Sequence, residues 1–248
     1  MQNNFTHFLV TRYNVPWTNG KKPSEQWLKE RNKLFFKFCY SSVLSQINNN
    51  FKWIIYIDIN SPMWFLDGMS KIESDKILFM KVATFEEMKN RIKSDVIELS
   101  TTPFVITSRL DNDDVISPYY IDLIQKNLKL NHNTFINFKD GACYSESNRA
   151  FSVYEYFNSP FLTLIENRNK EVNTILDYDH TFVKNAVQID GNNWLQIIHS
   201  DNLSNQLRGK VIYKKEIVNN LNWIDFSIFK YSFIKTLNNS NKKTHTGF

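Results

Sequence analysis

Glycine is scarce in this 248-residue chain, six in all, and no Gly-x-Gly-x-x-Gly or Walker-type stretch can be built from them. Both dinucleotide turns and P-loops need glycine where the backbone approaches phosphate, so neither is expected. Cysteine is rarer still. Cys39 and Cys143 stand in apolar stretches, too few for a disulfide framework or a metal site, and read as reduced core thiols of an intracellular, cytoplasmic protein. No apolar run approaches the about 18 residues of a membrane span. The start, Met1-Gln-Asn-Asn-Phe-Thr-His7, has no basic region before a hydrophobic one, so no secretory leader is expected. No linker rich in proline, glycine or serine divides the chain, and no internal repeat is present. A single domain over 1–237 with a polar, disordered tail over 238–248 follows as the expectation. The net charge of +5, with a pI near 9.0, suits an anionic ligand. It is too small and dispersed to argue for nucleic acid.

What the chain has is apolar and aromatic matter, 42% and 15%, arranged in alternating strand and helix patterns. Phe5 to Arg12 reads as a first strand with the polar end Thr11, Arg12 and Tyr13. Ser24 caps a helix to about Gln46, with Leu34, Phe35, Phe38 and Val43 at helical spacing. Arg31 on it can reach a ligand, although an arginine there is more often a surface residue. Phe51–Asp58 and Ile77–Val82 read as strands, and Thr84-Phe-Glu-Glu87 is a capping box opening a helix to about Leu99. Such alternation implies an α/β fold, a mostly parallel sheet with helices on both faces. Further on, Thr134–Phe138 and Ala150–Tyr154 read as strands about a turn at Lys139-Asp-Gly141, so the second half is expected to be antiparallel in part. Asn193–His199 reads as a last strand. From Trp223 to Leu237, aromatic residues at helical spacing alternate with Lys230 and Lys235. A helix packed on the core is the commoner use of that pattern; peripheral contact with an anionic membrane is the rarer one.

The stretch of greatest chemical content is Thr107-Ser-Arg-Leu-Asp-Asn-Asp-Asp114. An apolar strand, Pro103–Thr107, leads into it. A helix is expected to follow it, with Ser117 as N-cap and Pro118 at the first position. Three carboxylates so close repel one another unless a cation sits among them. A hard divalent metal is the functional reading, and a solvated acidic turn the bland one. In open α/β sheets ligands bind beyond the carboxyl ends of the strands. Three such ends carry charge here: Arg12, Asp58, and Arg109 with Asp111.

Four segments together resemble one family. They are Thr11-Arg-Tyr-Asn-Val15, Phe104–Asp114, Pro160-Phe-Leu-Thr-Leu-Ile-Glu166 and Trp194-Leu-Gln-Ile-Ile-His-Ser-Asp-Asn202. The family is that titled "putative rhamnosyltransferase", nucleotide-sugar glycosyltransferases of the GT-A, Rossmann-like fold, and the likeness spans roughly residues 5–210. It implies a mixed sheet and an Asp-x-Asp loop holding Mn²⁺ or Mg²⁺ on the donor diphosphate. By that resemblance Asp113 is a direct metal ligand, Asp111 contacts the metal or the ribose, and His199 is a late ligand; the mixed oxygen and nitrogen shell leans to Mn²⁺. Thr11, Arg12, Asp58, Arg109, Asp111, Asp114 and His180 fall to the donor side. An inverting reaction needs a carboxylate base, for which Asp179 is preferred and Glu166 is the rival. The acceptor would be a hydroxyl of a glycan or lipid-linked glycan. Two rival classes remain at this point. A nucleotidyltransferase would carry a glycine-rich loop near the first strand, and none lies between Val10 and Pro23. A metal-dependent glycan-binding module would bind sugar without nucleotide.

Overall fold

Side chains of successive strand residues point to opposite faces, so a strand buried on both sides must be apolar at every position. The first strands obey this. Leu9, Trp53, Ile55 and Ile57 enter one cluster, and Phe8, Val10, Ile54 and Tyr56 enter another on the opposite face. The computed structural model describes residues 4–17, 20, 22–199, 207–212, 219, 221–225 and 229.

The elements run β1 (Phe5–Arg12), α1 (Glu25–Leu34), a π-helical stretch (Phe35–Tyr40), α2 (Ser41–Leu44), β2 (Lys52–Asp58), α3 (Met63–Ser70), β3 (Ile77–Val82), α4 (Phe85–Glu98), β4 (Phe104–Arg109), β5 (Val115–Ile116) and α5 (Tyr120–Lys126). After them come β6 (Thr134–Phe138), β7 (Asp140–Ser145), β8 (Ala150–Glu155), β9 (Thr163–Asn167), β10 (Val187–Ile189), β11 (Trp194–Ile198) and β12 (Lys210–Ile212). Ser24 caps α1 through its hydroxyl on the Trp27 amide, 3.1 Å, and Thr84 caps α4 on the Glu87 amide, 3.0 Å. Helix α4 covers one face of the first sheet with Met88, Ile92 and Val96; Phe35, Phe65, Tyr120 and Ile121 cover the other.

The first sheet has the order β10-β6-β9-β4-β1-β2-β3. β1 lies parallel to both β2 and β4, and β2 is parallel to β3, while β9 is antiparallel to β4 and β6. The chain thus proceeds outward one way from β1 to β3, then crosses to the other side of β1 to make β4. The carboxyl ends of β1 and β4 flank that change of direction, where open sheets form their binding crevice. The second sheet, β12-β8-β7-β11-β5, is mixed: β11 is parallel to β7 and antiparallel to β5. Trp194 joins the sheets, its indole stacked on Phe161 at 4.8 Å. The mostly parallel first half and mixed second half are the GT-A-like plan that the family resemblance implies.

Two local expectations are corrected. Ser117 does not cap the following helix, which begins at Tyr120; its hydroxyl instead donates to Asn193 Oδ1, 2.8 Å, beside β11. Lys139-Asp-Gly141 is no hairpin turn. Asp140 and Gly141 begin β7, and the hairpin to β8 closes at residues 146–149. In the 223–237 stretch, Trp223, Ile224, Asp225 and Phe229 are described: Trp223 donates to Asn192 O at 2.6 Å and Phe229 stacks on Phe38 at 5.3 Å. The rest of that expected helix, and the tail 238–248, lie outside the described residues.

Candidate active site

The acidic loop leaves β4 at Arg109 and enters β5 at Val115. Because β11 runs antiparallel to β5, with Leu195 opposite Val115, its carboxyl end travels back toward the loop. Asp114 extends that pairing through its side chain, Oδ1 accepting the Ile197 amide at 3.0 Å. Two residues further on, His199 Nε2 donates to Asp113 Oδ2 at 2.9 Å. Eighty-six positions apart in the chain, the pair is brought together by strand register alone.

Arginines surround the same loop. Arg31, from α1, donates through Nη1 to Asp113 Oδ2 and to Asn112 Oδ1, the latter at 3.2 Å, and its guanidinium lies 4.8 Å from the Trp27 ring. Asn112 is fixed in turn, its amide donating to Tyr13 O at 2.8 Å. Arg109 grips Asp111 bidentately, Nε to Oδ1 at 3.1 Å and Nη2 to Oδ2 at 3.0 Å. Arg12 sits between the Trp17 and Phe85 rings, 5.6 and 5.3 Å from their centroids. Burial lowers its pKa, while Asp111 opposes that and Arg109 reinforces it. For Asp111 burial would raise the pKa, but the Arg109 charge and hydrogen bonds, with Arg12 and Arg31, outweigh it and hold the carboxyl below its ordinary value. Asp114 goes the other way: buried, and facing Asp113 and Asp111, its carboxyl is pushed well up.

Asp58 ends β2 on the same rim. It is buried, accepts the Asn60 amide at 2.9 Å and pairs with Lys22 at 3.2 Å. Asp179 is exposed, caps the Thr181 amide at 2.9 Å, and interacts electrostatically with Arg109. Its pKa lies below the ordinary value, chiefly through the hydrogen bonds from Thr181. His180 must donate through Nδ1, since its partner there is the Asn158 carbonyl. Burial lowers its pKa, so it is neutral at pH 7 with its lone pair on Nε2.

Three expected site residues are engaged in contacts within the fold. Glu166 pairs across β9 with Val105, near the start of β4, six residues before Asp111. Four residues of strand at about 3.3 Å each put it roughly 13 Å from the carboxyl end of β4, toward the other end of the sheet. Its carboxylate pairs with His132 and accepts the Asn133 amide at 2.9 Å, contacts within the fold and away from the acidic loop. Thr11 spends its hydroxyl within the fold, donating to Leu110 O at 2.8 Å and accepting from Trp53 Nε1 at 2.9 Å. Asp114 is 1% exposed and positions β11 instead of facing a donor. Conversely, Arg31 and Asn112 join the acidic loop without having been marked as donor or metal contacts by the sequence. A signal existed: Leu28, Arg31 and Phe35 share one helical stripe, and a charge on a buried stripe requires a partner.

A metal can be tested against this arrangement. Asp113 Oδ2 and His199 Nε2 are 2.9 Å apart, close enough to share an ion once their hydrogen bond and the Arg31 contact on the same oxygen give way. Both are donor types that Mn²⁺ and Mg²⁺ accept. Asp111 does not complete a cage, being held by Arg109; among the described residues no group of three such side chains is gathered to hold an ion. Two protein ligands suffice where a diphosphate and water supply the others.

Comparison with known proteins decides the family. The family described as "Putative rhamnosyl transferase" matches residues 23–211. The chain belongs to this family. The chain is thus a glycosyltransferase. Similar solved structures include one described as a "putative nucleotide-diphospho-sugar transferase from Desulfovibrio desulfuricans G20", 10% identical, with TM-score 0.43, covering 95% of this chain and 99% of that one. S. aureus TarS 1-349 in complex with UDP is 12% identical with TM-score 0.42, covering 95% and 71%. The glycosyltransferase GlyE of Streptococcus pneumoniae TIGR4 is 14% identical with TM-score 0.38, covering 93% and 64%. No curated protein matches the transferase. Among its described residues, no helix is long and apolar enough to cross a membrane.

Proposed function

We propose that the chain moves a sugar, rhamnose by the family's title, from a nucleoside diphosphate to a hydroxyl of a glycan or lipid-linked acceptor, with Asp113 and His199 holding Mn²⁺ or Mg²⁺. The observation that carries this is the meeting of Asp113 and His199 at the switch point of the sheet. The divalent ion supplies positive charge to the leaving diphosphate without proton transfer. Arg109 and Arg12, on the ends of β4 and β1, are the guanidiniums placed to hold phosphate oxygens. Asp111 keeps Arg109 in place for that contact. Asp58 and His180 lie on the donor side of the same rim. For an inverting transfer, Asp179 takes the proton of the acceptor hydroxyl: it is exposed, ionised at neutral pH and electrostatically linked to Arg109. Two buried, unpaired thiols suit a reducing, cytoplasmic setting for this reaction.

Thermal unfolding with UDP and Mn²⁺, titrated separately and together, tests the reading. At about 100 times the Kd a ligand adds about 2.7 kcal/mol of stability, or roughly 5–10 °C for a chain of this size. The shift should require both components and should be lost in Asp113→Ala, as should release of nucleoside diphosphate from a panel of nucleotide sugars. Wild-type shifts and transfer rates in that variant would sink the metal assignment. Sugar binding with no nucleotide response at all would favour the glycan-binding module.

A further inference from the structure

Phe182 is the most exposed large apolar side chain among the described residues, 80% accessible. It does not hang on a slack tip. The turn His180–Phe182 is capped by Asp179, whose Oδ1 accepts the Thr181 amide at 2.9 Å and the Thr181 hydroxyl at 2.8 Å. Val183 beyond it is buried. A second segment is laced to this turn. Asn158 Nδ2 donates to Thr181 O at 3.2 Å, and His180 Nδ1 donates back to Asn158 O. Next to Asn158 stands Phe157, 56% exposed, its carbonyl accepting Asn137 Nδ2 at 3.0 Å and Gln188 Nε2 at 3.2 Å. Two phenylalanines are therefore presented to water on backbone that hydrogen bonds hold in place. Those bonds fix where both rings leave the backbone.

The setting selects the occupant. Besides Phe157, the residues that flank Phe182 in the turn and the laced segment include Asp179, His180, Thr181 and Asn158, which carry hydrogen-bonding groups. A lipid-binding patch would be continuous apolar surface. An aromatic face among hydrogen-bonding groups suits a ligand that alternates C–H faces with hydroxyls, which is a pyranose ring. The turn also begins at Asp179, the carboxylate placed to take the acceptor proton. We propose that Phe182, with Phe157 on the laced segment, forms the acceptor subsite, stacking on the C–H face of the acceptor sugar while Asp179 and His180 face its hydroxyls. That the bound sugar is an acceptor rests on the transferase reading; that a pyranose binds here does not.

Saturation-transfer NMR on the full chain, with no nucleotide present, tests it with methyl pyranosides of glucose, galactose, mannose and rhamnose as probes. At least one should receive saturation on the C–H protons of a single ring face. An aromatic contact is worth a roughly three- to tenfold change in Kd, so Phe182→Ala should weaken binding by that factor. Phe182→Tyr should restore it and Phe182→Leu should not. No saturation of any pyranoside in the wild type, an unchanged Kd in Phe182→Ala, or full binding in Phe182→Leu each overturns the proposal. The UDP and Mn²⁺ unfolding shift, measured on the same samples, reports the donor site independently. Its absence with pyranoside binding intact would fault the transferase reading and leave the stacking subsite standing.

Discussion

At the scale of single residues, burial decides what each titratable group can do. His7 shows it most plainly. It lies inside β1, with Nε2 on Ser108 Oγ at 2.8 Å and Nδ1 on the Gln125 amide at 3.2 Å. An amide nitrogen only donates, so Nδ1 accepts and Nε2 carries the hydrogen: His7 is neutral. Burial pushes its pKa down from 6.5 to about 3. The unfolded chain therefore takes up a proton below about pH 6.5 that the folded chain refuses until about pH 3. The stability contributed by His7 is complete above pH 6.5 and is lost as pH falls from there toward 3. Urea unfolding between pH 6.5 and 4.5 should show a decline that is shallower in His7→Gln, by about one proton or roughly 1.4 kcal/mol per pH unit. Parallel slopes would show that His7 is protonated in the folded chain. Among the expected site residues, Asp113 and His199 are brought into contact, a pairing that the family motifs imply and that neither side chain signals on its own. Thr11 and Asp114 spend their polarity on internal hydrogen bonds, a use that the sequence does not distinguish from ligand contact.

At the scale of elements, strand register does the work that a sequence motif cannot. His199 reaches the acidic loop because β11 pairs antiparallel with β5 and parallel with β7. β7 was the strand least visible in the sequence, since Lys139-Asp-Gly141 has turn composition. The reason for glycine there is packing: the Trp194 indole lies against Gly141, and a Cβ at that position would overlap the ring. Trp194 is itself pinned, its Nε1 donating to Phe138 O at 2.8 Å. Gly141→Ala should therefore force Trp194 out of place, costing roughly 3 kcal/mol or more in stability. A lower unfolding midpoint, together with weaker Mn²⁺-dependent stabilisation by UDP, is the expected result. A variant as stable as the wild type would mean that β7 and β11 do not pack as described. Strands β1, β2 and β4 and helix α4 were legible beforehand because uninterrupted apolar runs and a capping box are local signals.

At the scale of the whole molecule, the direction of the parallel strands separates the two carboxylates that sequence alone left as rivals. Asp179 is linked electrostatically to Arg109 at the carboxyl end of β4, whereas Glu166 faces His132 and Asn133 at the amino end of the same sheet. Asp179→Asn should lower kcat by about 100-fold or more, the usual contribution of a positioned base, with little change in unfolding midpoint. Glu166→Gln should do the reverse, keeping kcat and losing stability, because a buried acceptor is disturbed far from the chemistry. Steady-state kinetics and thermal unfolding of both variants check this, and a kcat collapse in Glu166→Gln would refute the placement.

What the sequence determined by itself were the properties carried by neighbours in the chain. These are the apolar strands, the capped helices, the acidic loop behind a buried strand, and the motifs that mark the family. Only the tertiary structure decided which charges meet: Arg31 with Asp113, Arg109 with Asp111, His199 with the loop, and Glu166 with none of them. The physical reason is range. Strand and helix periodicity act over a few residues and are written locally. An ion pair between residues 31 and 113 depends on sheet order, and that order is settled by burial summed over the whole chain.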